Sequence, residues 1–429
     1  MQLQSRTVQA VGQRQAPESQ RHLPLVDLLM DTRAELTELV VRSGLKVLEA
    51  MLEEDRVAIC GPRYVHQPER DAVRAGTTST EVVLGGRKVG LRRPRVRAGK
   101  KEVPLPTFQA MAATDPLHRR VLEQMLVGVA TRQYARSLEP LPADVRTRGT
   151  SKSTVSRRFV AKTAAQVTDW QTAALEELDL VALLIDGVQF GEHCLVVALG
   201  IDATGQKHAL GLWDGSTENA TVCQGLLRNL QSRGLRTDRS ILVILDGSKA
   251  LRKAVTHTFG PAAWVQRCQV HKTRNVLEYL PDRERPWVRA ILRRAYSCGD
   301  PVKAKRLLDD LARRLEDDFP SAAASVREGL DETVTVLALP VSDRLRRTLA
   351  TTNPIESLMS RTRHVQRNVK RWRNGKMIVR WMTAAVLEAA KGFRRVKGCK
   401  DLPALVAALR ARDQQLGFTT RDADEQVAS

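Results

Sequence analysis

Apolar residues three and four apart run from Leu25 to Glu54, through LVDLLMDTRAELTELVVRSGLKVLEAMLEE, and predict a helix with one break near Ser43-Gly44. Residues 1–22 are rich in Gln, Arg and Ser, lack that spacing, and are expected to be disordered. At residues 80–105 the pattern changes: TEVVLGGRKVGLRRPRVRAGKKEVPL reads as short strands around Gly-Gly and Ala-Gly turns. Residues 121–167 return to helical spacing as helix, short break, helix and a segment opening SKSTVSRRF, an order that resembles a helix-turn-helix with Ser151 or Ser153 as a cap.

From Leu180 the chain turns to buried strands. VALLID (181–186) is a continuous apolar run; after a turn at Gly191-Glu192-His193 come CLVVALGID (194–202) and HALGLW (208–213). A helix over 217–235 ends at Gly234. ILVILD (241–246) is a second fully buried strand, GSKALRKAV opens a helix, and WVQRCQ (264–269) leads into another. The order is therefore β-β-β-α-β-α-β-α. Residues 276–345 are helical and charge-rich with no convincing strand. TTNPIES then begins a helix to about Arg363, and WMTAAVLEAAKGF continues the helical pattern.

Charge changes the picture most. The 429 residues carry 69 Lys and Arg against 48 Asp and Glu, a net +21, which makes a polyanion, and nucleic acid first, the expected partner. An acidic membrane surface is the weaker alternative, and no apolar run reaches the roughly 20 residues that span a bilayer. The N-terminus has no apolar core of a secretion signal. Cys60, Cys194, Cys223, Cys268, Cys298 and Cys399 form no paired Cys-x-x-Cys and are expected to be reduced thiols of a cytoplasmic protein. Aromatic residues make up only 4%, which argues against a single-strand binder built on stacking.

Basic residues also cluster. Between Arg87 and Lys101 the strand region holds Arg92, Arg93, Arg95 and Arg97 among others and no acid, which points to phosphate contact rather than a merely solvated face. At the start of the last helix-turn-helix element, Lys152, Thr154, Ser156, Arg157 and Arg158 suit phosphates and base edges.

The candidate chemistry lies in carboxylates. Asp186 and Asp246 each end a buried strand before a glycine. If those strands are parallel neighbours, both carboxylates emerge at one sheet edge, where they repel unless a cation sits between them. Mg²⁺ suits such a site, and a third carboxylate would complete a two-metal centre. Glu356 in TTNPIES has two readings. As a capping residue it would sit third in a helix with Asn353 as N-cap and Pro354 first, reaching back to the cap amide. As a ligand it would join the aspartates from a helix that returns to the sheet after a helical insert. The three acids in this order favour the second reading.

The segments LIDGV, LDGSKAL, FGPAAWVQRCQVHKTRNVLEYLP and TTNPIESLMSRTRHVQRNVKRWRNGKM closely resemble the mutator-type family of bacterial insertion-sequence transposases, from about Leu45 to Gly398. The resemblance implies an α/β, RNase H-like mixed sheet flanked by helices and interrupted by an all-helical insertion, with N-terminal DNA-binding modules. Asp186, Asp246 and Glu356 match the family's DDE triad, Arg363 the basic position after the glutamate, and Cys268 and His271 its Cys-x-x-His signature. That signature supplies only two of four zinc ligands, so a buried structural contact beside Asp246 is expected instead. Where relatives often carry Trp after the third strand, Cys223 stands here, while Glu218 is retained.

The implied organisation is a disordered 1–22, a helical and β-ribbon region over 23–112, a helix-turn-helix domain over 113–175, catalytic parts over 176–275 and 346–398 around an insertion over 276–345, and a C-terminal helix and tail over 399–429. The implied activity is Mg²⁺-dependent cleavage and strand transfer of double-stranded DNA with two ions, Mn²⁺ substituting and no organic cofactor. One ion activates water or a 3′-hydroxyl and the other stabilises the leaving oxygen. Asp186 is expected to bridge both, and Arg363, Arg367, Lys370, Arg371 and Arg373 to grip DNA beside the scissile phosphate. Terminal inverted repeats and target DNA are the expected partners of a homodimer or larger homo-oligomer associated with the bacterial nucleoid. A DNA-binding regulator without catalysis, or another RNase H-like DNA phosphodiester enzyme such as a junction resolvase, are the alternatives.

Overall fold

The fold is that of a computed structural model, which describes residues 24–65, 70–84, 87–113, 116–138, 147–148, 151–190, 193–215, 220–367, 369 and 371–418. The expected disorder of 1–22, Glu218, Lys370 and the Gly-Gly turn at 85–86 lie outside these residues. The chain divides into two compact units, residues 1–117 with 135–150, and residues 118–134 with 151–429.

In the first unit α1 (Pro24–Cys60) runs without interruption through Ser43-Gly44. The expected break is absent. A helical glycine costs only about 1 kcal/mol relative to alanine, and the flanking residues favour helix. Leu48, Leu52 and Cys60 of α1 pack against Val82, Leu91 and Val96 of a hairpin made by β1 (Val73–Leu84) and β2 (Arg87–Ala98). The short strands β3 (Lys101–Val103) and β4 (Thr147–Arg148) both pair with β2, and α2 (Pro106–Ala113) closes against α1.

The second unit begins with α3 (Pro116–Leu126) and α4 (Lys152–Thr172). Its sheet has the order β7-β6-β5-β8-β9, built from β5 (Leu180–Phe190), β6 (His193–Asp202), β7 (Lys207–Gly215), β8 (Ile241–Leu245) and β9 (Ala263–Arg267). The first three strands form an antiparallel meander; β5, β8 and β9 are parallel. α5 (Ala220–Ser232) and α6 (Lys249–Phe259) follow β7 and β8, so the element order is the one the apolar runs indicate. Between β9 and α13 (Asn353–Gln366) the described residues are helical: α7 (Gln269–Glu278), α8 (Arg285–Ser297), α9 (Pro301–Leu315), α10 (Pro320–Arg327), the short α11 (Leu330–Thr333) and α12 (Asp343–Leu349). α14 (Gly375–Ala390) and α15 (Leu402–Leu416) complete the unit.

Both faces of the sheet are buried, which is why its strands read as unbroken apolar runs. Leu183 and Ile185 of β5, with Ile241, Val243 and Leu245 of β8, face α5 and α6. Ala182 and Leu184, with Leu242 and Ile244, face the opposite way, onto Ile355, Leu358 and Met359 of α13 and Ile378 and Met382 of α14. α7 to α10 enclose a separate core around Val276, Leu292, Leu308 and Val326. No helix among the described residues is long and apolar enough to cross a membrane.

Lys272 of α7 is buried at 2% exposure and donates to the carbonyls of Ser325 and Glu328, at the end of α10. Burial first, then the Arg267 charge, pushes its pKa down to about 7, against the pull of Glu328. The unfolded chain holds this proton up to the ordinary lysine value of 10.5. Between those two values the unfolded state binds more protons, so stability rises with pH, by up to about 1.4 kcal/mol per unit from this residue. In urea titrations from pH 7 to 10, Lys272→Met is expected to remove that part of the slope. An unchanged slope would place the lysine's titration elsewhere.

Candidate active site

Side-chain alternation carries Asp186 onto the sheet face covered by α13, the face of Ala182 and Leu184. Ile185 is in register with Leu245 of β8, so Asp246 is the next neighbour of Asp186 across a parallel pair. β8 ends there, but β5 does not: Asp186 pairs with Val197 and the ladder with β6 continues to Phe190. The expectation that both aspartates end their strands holds for Asp246 alone, because the antiparallel partner outlasts the parallel one.

After Asp246 the chain turns sharply. Gly247 has φ +102°, and a Cβ there would lie 2.2 Å from Nε of Arg267. The Ser248 amide donates to Asp246 Oδ1 at 2.8 Å, and Ser248 Oγ accepts from Leu251 N at 3.3 Å, capping α6. Asp-Gly-Ser therefore fixes the carboxylate and starts the helix in one turn.

A chain of polar contacts joins this strand end to α13. The Cys268 amide donates to Leu245 O at 2.6 Å, and the Gln269 amide to Ala350 O at 2.9 Å. The Thr352 amide donates to Cys268 Sγ at 3.4 Å, and its hydroxyl lies 3.6 Å from the same sulfur and 3.4 Å from His271 Nδ1. His271 Nε2 stands 3.6 Å from Glu356 Oε1. Thr352, rather than Asn353, is thus the N-cap of α13, and its side chain does not cap the helix because it is turned toward Cys268 and His271. Glu356 then falls in the fourth helical position, whose amide bonds to Thr352 O at 3.2 Å, one place too late for a capping box. Its carboxylate faces His271.

The electrostatics bind these groups together. Asp186 is 4% exposed. Burial raises its pKa to about 7; the charges of Asp246 and Glu356 push the same way, while His271 and a hydrogen bond from Thr352 oppose. The hydrogen bond to Cys268 lifts His271 to about 9 despite burial, aided by the Cys268, Asp186 and Asp246 charges. For Cys268 burial acts upward, but its bonds with His271 and Thr352 outweigh that and lower the thiol pKa. An imidazolium thus stands among the three acids, a role the Cys-x-x-His spacing alone did not reveal. The Thr352 contact has no sequence signal beyond the residue's place before Asn-Pro.

Among the described residues, no group of three or more His, Cys, Asp or Glu side chains is arranged to hold a metal ion as it stands. The donor chemistry nevertheless fits a hard divalent cation. Asp186, Asp246 and Glu356 offer oxygen only, and a buried carboxylate at about 7 is one whose charge a cation would relieve. Glu356, with a side chain 42% exposed, has room to leave His271.

The cationic residues divide. On α4, Lys152, Ser156 and Arg157 are exposed, whereas Thr154 and Arg158 are half-buried and Ser151 caps the helix through Thr154 N. Phe159 of α4 packs on Trp381 of α14, with ring centres 4.4 Å apart. Between α3 and α4 the described residues hold a 3₁₀ turn at Tyr134–Ser137 and the strand β4, and the rest of the expected helix-turn-helix connection, 139–146 and 149–150, lies outside the described residues. In the hairpin, Arg93 and Arg95 pair with Glu102 at 2.7 and 2.9 Å, Arg93 also lies over Phe108, and Lys88 pairs with Glu81. Acidic neighbours are present after all, supplied across the ladder. Arg92 reaches Thr77 Oγ1, and Arg97 is exposed. Arg363, Arg367, Arg371 and Arg373 are exposed, and Arg367 also donates to Val127 O. The six cysteines are free, with Cys298 and Cys399 half-buried and the others buried.

Residues 23–396 match the family described as "Transposase, Mutator family". The chain is 30% identical over 266 residues to the transposase for insertion sequence element IS6120 of Mycolicibacterium smegmatis, covering 61% of this chain and 80% of that protein. It is 27% identical over 331 residues to the transposase for ISRM3 of Rhizobium meliloti, covering 75% and 80%. With the transposase for IS1081 of Mycobacterium tuberculosis it shares 26% over 402 residues, 90% of this chain and 94% of that one.

Proposed function

The chain belongs to the mutator family of insertion-sequence transposases, and from that premise we propose that it cleaves and joins DNA at the ends of its element through Asp186, Asp246 and Glu356. The observation that carries this reading is that Asp186 and Asp246 each follow directly on the Ile185–Leu245 pair of adjacent parallel strands, beside α13 with Glu356 in its first turns. A three-strand meander followed by parallel strands supports an RNase H-like catalytic domain, interrupted by the helices between β9 and α13.

Asp186, Asp246 and Glu356 would together hold the divalent ions. When bound, Mg²⁺ or Mn²⁺ supplies the Lewis acidity for in-line attack on a phosphodiester. The chain does the rest. Ser248 N holds the Asp246 carboxylate, Thr352 orients the His271 ring, and His271 keeps Glu356 at the site. Arg363, seven residues past Glu356 on the same side of α13, is placed to hold a phosphate beside it.

Incubating the full-length protein with its element's ends tests the proposal. Nicked or cut ends in Mg²⁺ or Mn²⁺ are expected; binding without any cleavage in either metal would favour the regulator. Arg363→Ala should weaken binding about equally for end and scrambled duplexes and lower the salt slope by about 1. Anisotropy titrations across salt concentrations measure this, and an unchanged slope removes the contact.

Two ends must be joined, so the active form is proposed to be at least a dimer. Leu39, Val40, Val47 and Met51 of α1 are exposed apolar residues that support self-association. Val40→Glu with Val47→Glu is expected to shift the sedimentation profile toward monomer; an unaltered profile would move the interface off α1.

A further inference from the structure

A cavity of about 770 Å³ opens beside the first turns of α13. Lys207 from β7, Arg344 and Arg347 from α12, Arg361 from α13, and Arg394, Arg395 and Lys397 from the α14–α15 connection line it, and among the described residues no acid does. Its walls are pinned. Arg361 donates to Gly392 O at 3.2 Å, Thr348 Oγ1 to Lys397 O at 3.2 Å, and Val396 N to Gly205 O at 2.9 Å. Lys207 lies over the Phe393 ring, and burial, then Arg361, lowers its pKa. Such a concentration of like charge on fixed walls is costly unless an anion shares it.

The shape favours a polymer over a small anion. A second cavity, of about 1020 Å³, shares Arg347 and Thr351 with the first and continues past Arg274, Arg289 and Arg293, with Glu278 and Asp343 also on its walls. Asn353, Ser357 and Arg361 of α13 line the first cavity at four-residue steps, and Glu356 lies on the adjoining stripe with Ser360 and Arg363. Two cationic surfaces therefore flank the stripe of Glu356 on α13. One follows Arg363 and Arg367 toward the end of α13; the other leaves from its N-terminal turns.

Joining needs two DNA segments at one site, the element's end and the DNA that receives it. We propose that this cavity holds the sugar-phosphate backbone of the receiving DNA, and that the Arg363 side holds the end; the assignment rests on the transposase reading above. The test replaces Arg394→Glu, Arg395→Glu and Lys397→Glu together, and asks how a protein–end complex captures a second, labelled duplex of unrelated sequence. End binding is expected to stay within about twofold, while capture of the second duplex falls at least about tenfold, near the salt sensitivity of several lost phosphate contacts. Equal loss of both, or undiminished capture, overturns the proposal. Wild-type protein that captures the second duplex but never joins it would instead count against the transposase reading. Thermal unfolding confirms that the triple variant folds; should it not, Arg394→Gln, Arg395→Gln and Lys397→Gln together carry the same test.

Discussion

Asp186→Asn is expected to abolish end cleavage, by at least about 10³-fold, equivalent to the roughly 4 kcal/mol or more of transition-state stabilisation that a charge at a metal-dependent centre supplies. Folding should survive. The substitution is isosteric, and it removes a buried carboxylate that burial and two neighbouring acids already hold near pKa 7. The neutral side chain relieves that repulsion, so the unfolding midpoint should stay level or rise while activity vanishes. Stability and turnover moving in opposite directions is the signature of a group kept for chemistry rather than packing. Asp246→Asn and Glu356→Gln should lose cleavage as well. Glu356→Gln also deprives the His271 imidazolium of its charged partner at 3.6 Å. Gel assays of labelled ends in Mg²⁺ and Mn²⁺ measure all three, and undiminished cleavage in any one of them would falsify its assignment to the triad.

Gly247→Ala is the second large effect, and it strikes the fold and the site together. The residue has φ +102°, where an L side chain is strained by about 1–2 kcal/mol. Its new methyl would also meet the guanidinium of Arg267, 2.2 Å from Nε. That side chain could swing aside only by giving up its bonds to the Glu328 carbonyl and carboxylate, at 3.0 and 3.1 Å, from a position 6% exposed. Hydrogen bonds of a charged donor contribute about 1.5–3 kcal/mol, so a total loss of about 3–4 kcal/mol is expected. The same shift would drag Asp246, whose carboxylate the next amide holds, and cleavage should fall about 10²-fold even where the variant is folded. Chemical denaturation with single-turnover cleavage separates the two losses. Wild-type values in both would mean that Arg267 yields freely.

The sheet was legible because its strands are covered on both faces, so VALLID and ILVILD stand out as unbroken apolar runs, each ending on an acid of the candidate site. The order of elements along the chain follows those runs, and the parallel pairing of β5 with β8, a condition in the sequence reading, is present in the sheet. What the sequence concealed depends on partners distant in the chain. β5 outruns Asp186 because β6 continues beside it, which no local pattern encodes. Asn353 has the better capping side chain, yet Thr352 takes the position because Cys268 and His271 engage it from 84 and 81 residues away. A linear count around Arg93 and Arg95 sees no acid in the strand; Glu102 comes into range only when β3 folds back. The spacing of Cys268 and His271 is equally that of a metal half-site or a structural contact, and only the approach of α13 shows the ring facing Glu356.

The stitches between Gln269 and Ala350, and between Cys268 and Thr352, have a consequence for how such a chain can diversify. They clasp both stems of the helical excursion at one point, next to the acids. Anything strung between the stems is then a closed appendix whose girth does not alter the clasp, and doubling its length adds only about 0.6 kcal/mol of closure entropy. Whole helices can be gained, shed or exchanged there, giving the protein a new outer surface while the three acids keep their spacing.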